Sequence, residues 1–124
     1  MRLVYKDFPL PSHTLAVPAH EAARCAGAQG RYWAYHDTLF ERQPRFSRDD
    51  LVRYAVDLKL DRERFERCLD QRTYRAAVQA DFVEGRQLGI RSTPTFLING
   101  KPLVGAHPVE TFRAAIEDAL RTRR

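Results

Sequence analysis

The sequence predicts an α/β fold in which an unusually large helical block separates an N-terminal strand from a C-terminal hairpin and a last helix. Three observations predict it. Thr95-Phe96-Leu97-Ile98 is β-branched and aromatic, Asn99-Gly100 supplies the positive φ angles of a tight turn, and Pro102-Leu103-Val104 reads as the return strand. Between residues 17 and 88, apolar residues recur at helical spacing, punctuated by caps and breakers. Met1 to Phe8 carries Leu3, Val4, Tyr5 and Phe8 on both faces, the pattern of a strand covered on both sides.

The helical block resolves into five segments. Pro9-Leu10-Pro11-Ser12-His13 ends the first strand, and alanines with Cys25 then mark a helix from about Val17 to Ala28, stopped at Gly27 or Gly30. Arg31 to Arg42 forms the second, broken by Pro44. Ser47 is an N-cap, with Asp49 and Asp50 in the first turn of a helix running to about Leu58. Asp61 caps the fourth, Arg62 to Leu69. Thr73 opens the fifth, which runs to Leu88 and stops at Gly89. Pro108 stands near the first turn of the last helix, whose apolar stripe is Val109, Phe112, Ala115, Ile116 and Leu120.

Composition narrows the function classes. The 124 residues suit one compact domain, with 44% hydrophobic residues for a core and 30% charged for a solvated surface. No apolar run approaches the roughly 20 residues of a membrane span, and the first residues lack the apolar stretch and cleavage site of a signal peptide. As written, the chain stays in the cytoplasm. The net charge is +5, but bases alternate with acids, as in Arg48-Asp49-Asp50 and Asp61-Arg62-Glu63-Arg64. A nucleic-acid binder clusters its charge on one face, so no nucleic-acid partner is expected. The uncompensated bases are the tail Arg121, Arg123 and Arg124, which suit a helix C-terminus.

The residues that carry chemistry are few. Pro94 cannot donate to a ladder and shapes the loop before a strand. If the Thr93–Pro94 bond is cis, the backbone edge of Thr93 turns outward and can pair with an extended peptide. Cys25 and Cys68, the two cysteines, lie on apolar helix faces and form no Cys-x-x-Cys; as such they read as buried small hydrophobes. The histidines are His13, His20, His36 and His107, and with the cysteines they show no metal-ligand spacing, so no metal is expected. His36, among Trp33, Leu39 and Phe40, reads as a packed histidine bonded to backbone or an aspartate. Tyr32, Trp33, Tyr35 and Phe40 read as core. Glu21, Asp81 and Glu84 could flank a redox site, although most helix carboxylates are solvated.

Four segments in order carry a resemblance: Val4-Tyr5-Lys6-Asp7-Phe8-Pro9-Leu10, the run from Ala22 to Trp33, Tyr35-His36-Asp37-Thr38-Leu39-Phe40, and Gly85 to Phe96. The chain resembles the DsbA-like branch of the thioredoxin superfamily, thiol–disulfide oxidoreductases with a helical insertion. The resemblance implies one domain over residues 1–124, with the insertion at about 14–89 and the thioredoxin-like hairpin and last helix at about 93–122. It implies that Thr93 and Pro94 bind substrate backbone, that the partners are protein or peptide thiols and disulfides, that no bound cofactor is needed, and that the compartment is periplasmic or otherwise extracytoplasmic. In some relatives a disulfide ties two helices of the insertion, so a Cys25–Cys68 bridge stands beside the reading as free thiols.

The departure from the family lies ahead of Met1. Relatives carry there a strand, the Cys-x-x-Cys and its helix; here the first strand and active-site helix are missing, and with them the nucleophilic thiol. The expectation is therefore a truncated domain, inactive as this chain. A start codon assigned too late (Met1 stands where relatives have valine), a fragment or decayed gene, and a true short protein each account for it. In the last case residues 2–8 and 95–98 pair directly and leave strand edges for a homodimer. The alternatives are a non-catalytic peptide-binding or assembly module using the Thr93–Pro94 edge, and a fragment of a glutathione-dependent isomerase or transferase of the same fold.

Overall fold

The computed structural model describes residues 1–122; Arg123 and Arg124 of the basic tail lie outside the described residues. The chain divides into two compact units, Met1–Glu84 and Gly85–Arg124.

The first unit is helical: α1 (Ala16–Gly27), α2 (Tyr32–Arg42), α3 (Arg48–Asp57), α4 (Arg62–Asp70) and most of α5 (Arg75–Gln87). α1 packs against α2, α3 and α4. Its buried face is made of small residues, Ala19, Ala22, Ala23, Cys25 and Ala26, which let neighbouring backbones come close. Gly27 extends that face: a Cβ there would meet the Tyr32 Cβ at 3.3 Å. The larger core residues Tyr35, Leu51, Tyr54 and Phe65 fill the remaining volume. Tyr35 is fully buried, and its hydroxyl donates to the Leu51 carbonyl at 2.8 Å. Burial away from charge pushes its phenol pKa well above the ordinary tyrosine range.

The caps fall where the sequence places them. Ser47 and Asp50 form a reciprocal capping box at the start of α3, and the Asp61 side chain accepts from the Arg64 N–H at the start of α4. α5 starts at Arg75, two residues beyond Thr73. Arg72 takes a left-handed conformation (φ 51°), and the Thr73 N–H bonds back to the Cys68 carbonyl, so the chain turns before it can coil again.

Two expectations for this unit are corrected. Residues 1–8 form no strand, because a strand needs a ladder partner and the sheet contains none for them. Leu3 and Val4 are exposed, and the Asp7 N–H is satisfied by the Asp81 carboxylate instead. The aromatic run on α2 is not core throughout. Only Tyr35 is buried, while Trp33 and Phe40 are 46% and 55% exposed. They share a surface stripe with Tyr5, Tyr32 and His36, joined by ring contacts of 4.6 to 6.4 Å.

The second unit holds β1 (Thr95–Ile98), β2 (Lys101–Val104) and α6 (Val109–Arg121). The two strands are antiparallel, with Thr95 opposite Val104 and Ile98 opposite Lys101. Asn99 and Gly100, at φ 50° and 84°, close the two-residue turn that this dipeptide predicts. α6 packs on β1, with Phe112 edge-on to Phe96 at 4.7 Å. The predicted stripe is covered only in part: Phe112, Ala115 and Ile116 are half-buried, but Val109 and Leu120 are exposed. A two-stranded sheet offers too little surface to bury a thirteen-residue amphipathic helix.

Candidate functional site

The loop entering β1 is the first candidate. Arg91, Ser92, Thr93 and Pro94 are all exposed, and the Thr93–Pro94 peptide bond is cis. The loop is anchored on both sides of Thr93. The Thr95 hydroxyl donates to the Ser92 carbonyl at 2.7 Å, and the Gly105 N–H donates to the Pro94 carbonyl at 2.8 Å. Thr93 itself has no hydrogen-bond partner for its main-chain N–H or C=O among the described residues. A held, exposed loop with one unpaired donor and one unpaired acceptor is chemically suited to take on a strand-like peptide. At the far end of the hairpin's return strand, the His107 ring nitrogen Nε2 lies 2.6 Å from the Val104 carbonyl.

Cys25 and Cys68, 43 residues apart, are joined as a disulfide that ties α1 to α4. Of the two readings left open by the sequence, the bridge is the one observed, and no described cysteine is free. Neither sulfur is therefore available as a resident thiolate, the species that attacks in thiol–disulfide exchange. No cluster of histidine, cysteine and carboxylate residues that could hold a metal ion occurs among the described residues.

A charged network also binds the N-terminal segment to the helices. Asp7 is 2% exposed. One of its carboxylate oxygens lies 3.0 Å from His20 Nδ1, and the other accepts from Arg24 Nε at 2.6 Å. Arg24 reaches on to Asp81 with Nη2 at 2.8 Å, and Lys6 lies 3.3 Å from Glu84. Burial pushes the Asp7 carboxyl pKa up, but the hydrogen bonds and charges of His20 and Arg24 outweigh it and hold the group below the ordinary aspartate value. Beside this network an open cleft of about 270 Å³ is lined by Tyr5, Arg24, Tyr32 and Tyr74. A second buried carboxylate, Glu21, takes two hydrogen bonds from Arg72, at 2.8 and 3.3 Å.

Thr93 and Pro94 thus form one held loop, while Cys25 and Cys68 form a covalent bridge in the other unit. His36 sits as expected, 3.0 Å from Asp37 and edge-on to the rings of Tyr5 and Trp33. Asp81 is an anchor for the N-terminal segment, and Glu21 is a buried half of an ion pair, whereas Glu84 is exposed and pairs with Lys6 at the surface. Sequence reasoning missed Asp7 and Arg24. The available signal was weak: Asp7 stands between apolar neighbours in Val4-Tyr5-Lys6-Asp7-Phe8, and Arg24 interrupts the small-residue run Ala22-Ala23-Arg24-Cys25-Ala26.

A strand–turn–strand preceded by an exposed proline loop, a helix packed on that hairpin, and a helical block held by a disulfide together define a thioredoxin-like fold. A crystal structure of a thioredoxin-like oxidoreductase from Silicibacter pomeroyi superposes with a TM-score of 0.85, over 97% of this chain and 69% of that one, at 24% identity. The family model described as Thioredoxin matches residues 1–118, and the chain belongs to that family. Among curated relatives, the protein named Na(+)/H(+) antiporter NhaA 1 of Salinispora arenicola is 39% identical over 96% of this chain. The NhaA 3 antiporter of Salinispora tropica is 34% identical over all of it, and the NhaA antiporter of Herminiimonas arsenicoxydans 35% over 93%. The chain spans less than a fifth of the length of these relatives.

Proposed function

We propose that these residues form the client-binding part of a DsbA-like protein thiol–disulfide oxidoreductase domain in an extracytoplasmic compartment. The observation that carries this reading is the unpaired Thr93 main chain in the held loop before β1, in a chain of the thioredoxin family. An extended client segment pairs with the Thr93 N–H and C=O and lays a disulfide or thiol beside Pro94. A thiolate that is not among these 124 residues attacks one client sulfur. A mixed disulfide forms, and the other client sulfur leaves with the bonding pair and takes a proton. The chain's own part is to bind and orient the client. The Cys25–Cys68 bridge supports the compartment, because such bonds persist in oxidising surroundings.

The purified chain is expected to bind a cystine-mimicking peptide, with its cysteine replaced by serine, yet to show no reduction of insulin. Turnover abolished by Cys25→Ser would contradict the reading. The open reading frame ahead of Met1 supplies a second check. An in-frame Cys-x-x-Cys supports the oxidoreductase, whereas a serine in its place supports the isomerase or transferase.

The curated relatives favour a second reading. Several proteins named as Na(+)/H(+) antiporters contain a stretch 34–39% identical to nearly all of this chain. On that reading the chain is a non-catalytic assembly module belonging to an ion-transport protein. A reading frame that continues into an apolar, multi-helix transporter sequence supports it, and a frame closed by stop codons on both sides removes it.

A further inference from the structure

The peptide unit that anchors Pro94 is bonded at both ends. The Gly105 N–H donates to the Pro94 carbonyl at 2.8 Å, in line with the pairing of Thr95 and Val104. The Val104–Gly105 bond is trans, so its C=O points to the side opposite its N–H. The Val104 carbonyl therefore faces away from β1, and His107 Nε2 meets it there at 2.6 Å. A carbonyl only accepts, so Nε2 carries the proton of this bond. The other end of that unit borders Gly105, at φ 98°, and a glycine turns through such angles at low cost. The imidazole lies over it: a Cβ on Gly105 would stand 3.8 Å from Nε2. Phe112 places the ring in turn, at 6.3 Å and edge-on, and itself packs edge-on to Phe96 of β1.

We propose that His107 is a positioning residue for the client-binding loop. By holding the Val104 carbonyl it fixes the plane of the peptide whose N–H anchors Pro94, and so the direction in which the Thr93 main chain is presented. Two effects act together. The outer bond restrains a peptide that glycine would otherwise leave free to tilt. A donor on the carbonyl also polarises the unit, which strengthens its N–H as a donor to Pro94. His107 touches no client itself; it acts through the Val104–Gly105 peptide. This role rests on the client-binding reading of the Thr93 loop.

The experiment compares the intact chain with His107→Phe, which keeps a flat ring without the donor, and His107→Gln, whose amide nitrogen sits at about the reach of Nε2. Amide hydrogen exchange and signal positions are read by NMR, first without peptide. The affinity for an extended peptide with serine in place of cysteine is then measured. In His107→Phe, Gly105 is expected to exchange about tenfold faster, with the Thr93 and Thr95 amide signals displaced. Peptide affinity is expected to fall about fivefold, the scale of one lost hydrogen bond. His107→Gln recovers at least half of each change. The Thr111 amide, bonded to Pro108 at the start of α6, keeps its rate. Unchanged exchange at Gly105, faster exchange centred on Thr111, unmoved signals at Thr93, or no recovery with glutamine would overturn the proposal. The exchange and signal positions need no peptide, so they judge the hold of His107 on the loop by themselves. Absence of peptide binding in the wild type would count against the client-binding reading instead.

Discussion

Asp7 accepts a 2.6 Å hydrogen bond from Arg24 Nε, and that contact fastens an otherwise exposed N-terminal segment to α1. The same guanidinium bonds Asp81 on α5, and the Asp7 N–H bonds Asp81 as well. Two aspartates and one arginine therefore tie the N-terminal segment, α1 and α5 together. Replacing Asp7 by alanine leaves Arg24 and His20 facing a buried gap. The expected cost is about 3 kcal/mol, the usual scale for breaking a buried pair from one side. Chemical denaturation of the variant reads it as a fall in midpoint. A change below about 0.5 kcal/mol would show that the network is solvated in practice.

The pH dependence follows from the same carboxyl. Its pKa in the folded chain lies below that of an ordinary, solvated aspartate, because the hydrogen bonds and charges of His20 and Arg24 outweigh its burial. The unfolded chain therefore binds the proton more readily, and the stabilisation is fully present above about pH 4. It is lost as pH falls through the lower folded value. Acid unfolding of the wild type is expected to be steeper than that of Asp7→Asn. Parallel acid limbs for the two proteins would contradict the assignment.

Much of the architecture was legible because it is local. Ser47 with Asp50, Asp61, Asn99-Gly100 and Pro108 are short-range signals, and each marks the boundary it predicts. The exposed loop at Thr93 and Pro94 was legible for the same reason. What was not legible depends on partners distant in sequence. Residues 1–8 have strand composition, yet a strand exists only where a second strand pairs with it. Trp33 and Phe40 look like core until the neighbouring surface is known to leave them uncovered. Asp7 and Arg24 are 17 residues apart, and Asp7 and Asp81 are 74 apart, so no local pattern announces either contact.

The disulfide closes a loop across 43 residues of sequence. Chain entropy assigns it roughly 4 kcal/mol of stability, to be offset by any native strain. The double variant Cys25→Ser, Cys68→Ser is expected to unfold at a lower denaturant concentration by about that amount. It should keep its peptide affinity at Thr93. Unchanged stability would mean that the unfolded chain is already compact.

The Ser47 capping box stabilises the start of α3 through two reciprocal hydrogen bonds. Ser47→Ala is expected to cost about 1 kcal/mol. Hydrogen exchange should speed up at Asp49 and Asp50 without change in the hairpin. A loss spread evenly over both units would point to a role beyond the cap.

Client pairing at Thr93 is read out by an amide NMR titration of the intact chain with an extended client peptide whose cysteine is replaced by serine. Shifts that saturate at Ser92, Thr93 and Thr95, and that vanish in Pro94→Ala, are the predicted result. No shift in that loop at millimolar peptide, or shifts confined to the helical unit around the disulfide, would contradict it.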